Sequence, residues 1–230
     1  MSRRINEDFV LLEQFIEDYQ IAQDQLSSEQ NEKYKSMHKK LFGFLVFAAE
    51  FKEQNINSNS NIFFEETSSD LMLSLFCVIQ GMYKPAKLQL RCGVENFLKA
   101  LLVIDTPQIV TETSVYTIFD VAAKDRHFSG KIGNMVLQNI HNDYVRLCHT
   151  VHGDTSMMHP LSALSLLPEY DKTLLYEFVK MYIRCVEQYL KILYLNYPYV
   201  LDSMHPDNKQ DVLDAMAKKT KAEVVLELYE

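Results

Sequence analysis

Three side chains that can bind phosphate and move protons lie within one short stretch, residues 142–153, NDYVRLCHTVHG. Arg146, His149 and His152 recur at every third residue, so on a helix they lie along one side, and Gly153 can end that helix. A guanidinium stays charged at working pH and suits phosphate oxygens, while a histidine titrates near neutrality. The stretch therefore predicts phosphate binding with metal-free acid–base chemistry, such as proton transfer at an RNA 2′-hydroxyl.

A structural role fits the same three residues. In that interpretation Arg146 pairs with an acid across the bundle, His149 is exposed, and His152 forms a hydrogen bond that closes the helix. Basic residues are common near the C-terminal ends of helices, where they interact favourably with the backbone carbonyls. The sequence leaves both interpretations open.

A second segment, residues 88–105 (LQLRCGVENFLKALLVID), carries candidate partners for this stretch. Arg91 and Glu95 stand one helical turn apart, so the simplest interpretation is an ion pair within the helix, contributing roughly 0.2–0.5 kcal/mol. The functional alternative places Glu95 or Asn96 opposite Arg146, where it would orient the guanidinium.

Ligand patterns for metals and cofactors are missing from the sequence. Four of the seven histidines lie within nineteen residues: His141, His149, His152 and His159. They lack the HExxH or ExxH spacing and the paired carboxylates typical of metal sites. A glycine-rich phosphate loop and a GxSxG motif are also missing. We therefore expect no metal ion and no cofactor.

Composition indicates the fold class. The chain has 230 residues, of which 47% are hydrophobic, and only six glycines and six prolines. This favours long helices with short connections, so we expect an all-α protein. The formal net charge of −8 argues against a protein that coats nucleic acid non-specifically, which needs a basic face, although it allows a nuclease with a local basic pocket.

The longest strongly apolar run, residues 41–49, is about half the length that a membrane span requires. The first thirty residues are polar and acidic, unlike a signal peptide. The sequence has four cysteines without CxxC spacing: Cys77, Cys92, Cys148 and Cys185. Such cysteines are typical of small core residues in a reducing compartment. We therefore expect a cytoplasmic protein that does not associate with membranes.

Apolar positions spaced by three and four predict a series of helices. Their expected ranges are 6–26, 28–51, 69–83, 87–105, 131–151 and 170–197. Ser27 or Ser28 can cap the second helix, and Ser68 or Ser69 the third. Gly81 and Gly93 are expected at short connections or close helix approaches. The helix at 170–197 is apolar on more than one face, so we expect it to be central and buried.

Three units follow from this pattern. The polar stretch at 55–61, NINSNSN, is expected to separate an N-terminal helical hairpin at residues 1–55 from a main bundle at 62–198. Residues 199–230 form a C-terminal tail with a polar helix from about Asp207. That helix carries three lysines that would face solvent or form an interaction arm: Lys218, Lys219 and Lys221.

The two segments at 88–105 and 144–153, followed by a long apolar helix, resemble the HEPN superfamily of helical-bundle domains found in prokaryotic defence and toxin systems. Its motif is an arginine, four to six residues, then a histidine, and here five residues separate Arg146 from His152. His149 allows a second register. Active members often have a polar residue directly after the arginine, where this chain has Leu147. The resemblance covers roughly residues 68–197.

The resemblance implies a HEPN-like core of four to five helices and a metal-independent endoribonuclease. Arg146 would bind the scissile phosphate, His152 would transfer protons with His149 as a second carrier, and Glu95 matches an acidic position of the family. Arg91 and Asn96 would then contact RNA. The family's active site is usually built across a homodimer.

The cellular role implied is an effector or toxin of an anti-phage defence or toxin–antitoxin system, held silent by a neutralising or sensor protein. A non-catalytic helical interaction or sensor protein, which binds a protein partner or structured RNA, remains the alternative.

Overall fold

The computed structural model describes residues 2–18, 27–151 and 170–229, and in these ranges it contains ten α-helices and no β-strand. The chain is therefore an all-α helical bundle, as predicted. Its helices are α1 (Arg3–Asp18), α2 (Ser28–Glu53), α3 (Ser58–Ile79), α4 (Tyr83–Leu102), α5 (Val115–Ala122), α6 (Gly130–Val151), α7 (Lys172–Asn196), α8 (Pro198–Ser203), α9 (Pro206–Ala215) and α10 (Lys218–Tyr229). Two 3₁₀ turns flank α5, at Pro107–Thr111 and Arg126–Phe128. None of the described helices is both long and apolar enough to cross a bilayer.

The second helix begins where the sequence predicts. Ser27 Oγ accepts a hydrogen bond from the Gln30 backbone N–H at 3.3 Å, and the Gln30 side chain accepts one from the Ser27 N–H at 2.9 Å. Together these form a capping box, which satisfies two backbone donors at the start of α2. The first predicted helix is described only to Asp18, and residues 19–26 of that prediction lie outside the described residues.

The predicted start of the third helix at Ser68 or Ser69 is wrong. Asn57 Oδ1 accepts a hydrogen bond from the Ser60 N–H at 3.0 Å, so α3 begins at Ser58. Asparagine is among the best N-caps, and the polar stretch at 55–61 therefore supplies a helix start. Ser68 lies inside the helix, where its hydroxyl donates to the Phe64 carbonyl.

Aromatic side chains connect α2 to the later helices. Phe51 of α2 packs edge-on against Phe64 of α3 at a centroid distance of 4.9 Å. Phe44 lies against Phe64, Phe97 and Tyr189, and the rings of Phe97 and Tyr189 stack at 3.9 Å. All five side chains are fully buried. The hydrophobic core therefore continues from α2 into α3, α4 and α7.

The C-terminal tail contains three helices rather than one polar helix. α9 packs closely against α2, because Gly43 lies where an added Cβ would overlap the Cβ of Ala215. Lys218 and Lys219 are exposed, as predicted, whereas Lys221 donates to a backbone carbonyl of α9. The tail differs from the prediction because α9 buries its apolar residues in the core beside α2.

The helices that hold the candidate residues are tightly packed. Gly81 has a φ of 72° at the turn between α3 and α4, so it lies at a short connection, as predicted. A Cβ added at Gly93 would lie 3.4 Å from the Cβ of Asp70, which is an ordinary contact. α7 is central, as predicted, with Tyr182, Cys185 and nine other residues buried. Its neighbours α4 and α6 carry the two segments that sequence analysis selected.

Candidate functional site

Arg146 lies near the C-terminal end of α6, with a side chain that is 60% exposed. Its Nη1 is 3.8 Å from Oδ1 of Asp143, which precedes it by one helical turn and has a side chain only 2% exposed. At that separation the contact is at the outer limit of an ion pair. Most of the N–H donors of Arg146 therefore face solvent.

Asp143 is held chiefly by Arg184 of α7. Arg184 Nε lies 3.0 and 2.8 Å from the two carboxylate oxygens, and its Nη2 also donates to Oδ1. These hydrogen bonds raise the pKa of Arg184 against the opposing effect of its partial burial. A guanidinium that donates two hydrogen bonds to one carboxylate forms a fork, which is among the strongest charge-assisted hydrogen bonds. Because Arg184 already satisfies Asp143, Arg146 remains available to another anion.

His149 is the described histidine that lies nearest to Arg146 in the sequence. It follows Arg146 by three residues on α6 and is exposed, so the two side chains lie on the same side of the helix. His152, which the resemblance assigns to proton transfer, lies outside the described residues. The arrangement that can be described is thus an exposed guanidinium with an exposed imidazole one turn further on.

Glu95 and Arg91 of α4 contact Tyr144 of α6. The Tyr144 hydroxyl donates to Glu95 Oε1 at 2.8 Å and accepts from Arg91 Nε at 2.9 Å. Arg91 Nη2 closes the ring of contacts at 3.3 Å from Glu95, which is the ion pair that the simplest sequence interpretation predicted. Burial, together with the hydrogen bond to Glu95, holds the pKa of Tyr144 well above its ordinary value. Tyr144 is therefore a neutral donor that joins α4 to α6.

Asn96 is bound to α3. Its Nδ2 donates to Asp70 Oδ2 at 2.8 Å. Burial raises the pKa of Asp70, an effect that the Asn96 hydrogen bond partly opposes. The amide thus satisfies a buried carboxyl group between α3 and α4, where an unpaired carboxylate would be costly.

The two groups of candidate residues are therefore separated. Tyr144 and Arg146 are two residues apart, which is about 200° around a helix, so they project to opposite flanks. The structure gives Glu95 and Asn96 partners other than Arg146, and the carboxylate beside Arg146 is Asp143. Sequence analysis missed Asp143, although its position one turn before Arg146 on the same helix was a usable signal.

Leu147, which stands where active HEPN members often have a polar residue, is fully buried in the core. Its apolar character follows from its position, because its side chain lies in the core of the bundle.

One group of possible metal ligands lies elsewhere in the described part of the chain, at Asp105, Asp125 and His127. His127 Nδ1 is 2.6 Å from Asp125 Oδ1, and its Nε2 is 2.6 Å from the Tyr197 hydroxyl. Arg126 Nε contacts Asp105 Oδ2 at 2.5 Å. Both histidine nitrogens and both carboxylates are thus already paired within the protein, which favours a structural role for this group.

Comparisons of the chain with protein-family models, with curated proteins and with solved structures found no match.

Proposed function

We propose that this chain is a metal-independent endoribonuclease of the HEPN type. The observation that carries the proposal is the state of Arg146: it is 60% exposed, beside a buried carboxylate that Arg184 already satisfies, and one turn before exposed His149. Such a guanidinium lies beside a fixed carboxylate and has donors available to bind an RNA phosphate.

The chemistry follows from these groups. Arg146 binds the non-bridging oxygens of the scissile phosphate and stabilises the negative charge that grows in the transition state. A histidine removes the proton from the RNA 2′-hydroxyl, whose oxygen attacks phosphorus as the bond to the 5′-oxygen breaks. A second proton carrier protonates the leaving 5′-oxygen. The products are a 2′,3′-cyclic phosphate and a 5′-hydroxyl, and no metal ion takes part.

His152 and His149 are the two proton carriers of the proposal, and His149 is the one that the structure describes. Asp143 acts through Arg146, as a positioning residue. Two copies of the chain would bring two such sets of side chains together in a homodimer. The proposed role in the cell is a cytoplasmic effector or toxin in an anti-phage or toxin–antitoxin system, kept silent by a protein partner.

A non-catalytic interaction or sensor protein is the second candidate. It is favoured by α1, which leaves Val10, Leu11 and Phe15 exposed at 48%, 62% and 43% although they are large and apolar. Adjacent exposed apolar side chains are typical of surfaces that bind a partner.

Incubation of the purified protein with total cellular RNA in EDTA tests the proposal. The ribonuclease cleaves the RNA, and the Arg146→Ala variant does not. Arg3→Ala is the matched control, because Arg3 is also exposed and also paired with an acid on its own helix, Glu7. Intact RNA under these conditions would favour the second candidate.

A further inference from the structure

A groove of about 820 Å³ lies between α2 and α7, on the side of the bundle where Arg184 holds Asp143. Val179 and Ile183 of α7 give it an apolar wall, and Tyr176, Lys180 and Arg184 follow along the same helix. These last three residues are spaced by four, so they form a line of side chains about 6 Å apart along the helix axis. The groove is large enough for several groups of a ligand.

Two lysines meet at one exposed aromatic ring in this groove. Tyr176 is 48% exposed, and the Lys180 and Lys33 ammonium groups lie 4.1 and 5.1 Å from its ring centroid. The hydrogen bond and the positive charge of Lys180 lower the pKa of Tyr176. A half-exposed ring between two ammonium groups, one from α2 and one from α7, offers both a stacking surface and sites for anions.

Two of the three acidic side chains that line the groove are bound by neighbouring cations. Glu29 lies 2.8 Å from Lys172, and Glu187 is bound by Lys40 and by the Ala217 N–H. Lys33 lies only at 3.5 Å from Glu29, which Lys172 already binds at the shorter distance.

Lys180 makes its described contact with the ring of Tyr176 rather than with a carboxylate. With exposed Glu32, the lining carries three acidic side chains against four basic ones, Lys33, Lys40, Lys180 and Arg184. The groove is therefore slightly basic on a chain of net charge −8.

The register of α6 and α7 places this groove beside Arg146. Asn139 contacts Gln188 at 3.3 Å and Asp143 contacts Arg184 at 2.8 Å, so the helices are antiparallel and advance together by one turn. The next turn brings Lys180 level with the residue that follows Arg146. Arg184, which lines the groove, binds the same carboxylate that Arg146 approaches at 3.8 Å, so the groove ends near Arg146 at the C-terminal end of α6.

We infer that this groove binds single-stranded RNA and leads it to Arg146, an inference that rests on the proposed function. Unpaired bases can stack on Tyr176 while Lys33 and Lys180 contact phosphates on either side. A duplex fits poorly, because its bases are already stacked and its grooves present 2′-hydroxyls and phosphates rather than open base faces.

The test is fluorescence anisotropy with a labelled 2′-O-methyl oligouridylate, which lacks the 2′-hydroxyl and so reports binding without cleavage. In the Lys33→Ala/Lys180→Ala variant we expect affinity to fall at least about tenfold and the salt dependence, as the slope of log K against log salt, to become shallower by about 1.4, or 0.7 per phosphate contact. Tyr176→Ala should weaken binding about tenfold through lost stacking. Lys218→Ala/Lys219→Ala, which removes two exposed lysines of α10, is the matched control and should stay within twofold. Circular dichroism checks that each variant is folded.

Three results would overturn the inference: no measurable binding by wild type, a double variant that binds within twofold at an unchanged salt slope, or a duplex of the same length that binds as tightly as the single strand. The proposed function is judged separately. RNA cleavage without any effect of the groove variants contradicts the groove alone, whereas weakened binding without cleavage supports the groove and contradicts the nuclease.

Discussion

Arg146 and Asp143 lie one turn apart on α6, and the 3.8 Å between their charged groups joins a 60% exposed guanidinium to a carboxylate that is 2% exposed. Arg184 binds that carboxylate from α7, so the carboxylate is fixed before any ligand arrives. The position of Arg146 thus depends on an interaction between two neighbouring helices as well as on its own helix.

Asp143→Asn should lower both stability and activity. The substitution removes the charge that Arg184 binds inside the bundle, and we expect a loss of about 2 kcal/mol in the free energy of unfolding, measured by urea titration. Asp105→Asn is the matched control, since Asp105 pairs with Arg126 on the surface and should cost less than about 1 kcal/mol. Equal losses for the two variants would show that the Arg184 fork is no stronger than a surface pair.

Glu95→Gln separates the two flanks of α6. Glu95 accepts from Tyr144 and pairs with Arg91, so the amide should cost about 1 kcal/mol of stability. Because Arg146 projects to the other flank, we expect RNA cleavage to stay within about threefold of wild type. A loss comparable to that of Arg146→Ala, in a protein shown to be folded, would instead assign Glu95 to the reaction.

Gly43→Ala should destabilise the fold although alanine favours helices. The added Cβ overlaps Ala215 of α9, and relief requires the two helices to separate, at a cost of about 1–3 kcal/mol. Gly93→Ala is the control, because its new Cβ would stand 3.4 Å from Asp70 Cβ, an ordinary contact. Thermal unfolding should therefore show a clearly lower Tm for Gly43→Ala and little change for Gly93→Ala.

His38 makes stability depend on pH. Burial lowers the pKa of His38 against the influence of Asp8, whose Oδ2 lies 2.7 Å from Nε2. As the pH falls, His38 is therefore protonated more readily in the unfolded chain than in the folded chain. The contribution of His38 to stability is complete above its unfolded pKa and declines as the pH falls through that value. Urea midpoints at pH 7.5 and 5.5 should differ less in His38→Phe than in wild type. An unchanged difference would exclude His38 as the cause.

The sequence predicts the helical class, the start of α2 and the central place of α7, because apolar spacing and capping residues act locally. It does not predict the start of α3, since Asn57 and Ser68 are both good caps and only packing selects between them. The partners of Glu95 and Asn96 depend on helix rotation and register, which become fixed only when the bundle packs. The closeness of Asp143 to Arg146 could be predicted from their three-residue spacing on one helix. The hydrogen bonds between Asp143 and Arg184 could not, because the two residues are 41 positions apart in the sequence.

The most direct test of the account is the chemistry of RNA ends produced in EDTA. Total cellular RNA incubated with the purified wild-type chain should acquire 2′,3′-cyclic phosphate and 5′-hydroxyl ends. Arg146→Ala should slow their formation at least about a hundredfold, and Arg3→Ala should leave the rate unchanged. Wild-type protein that leaves the RNA intact, or an Arg146→Ala variant that cleaves it at the wild-type rate, would contradict the proposed ribonuclease.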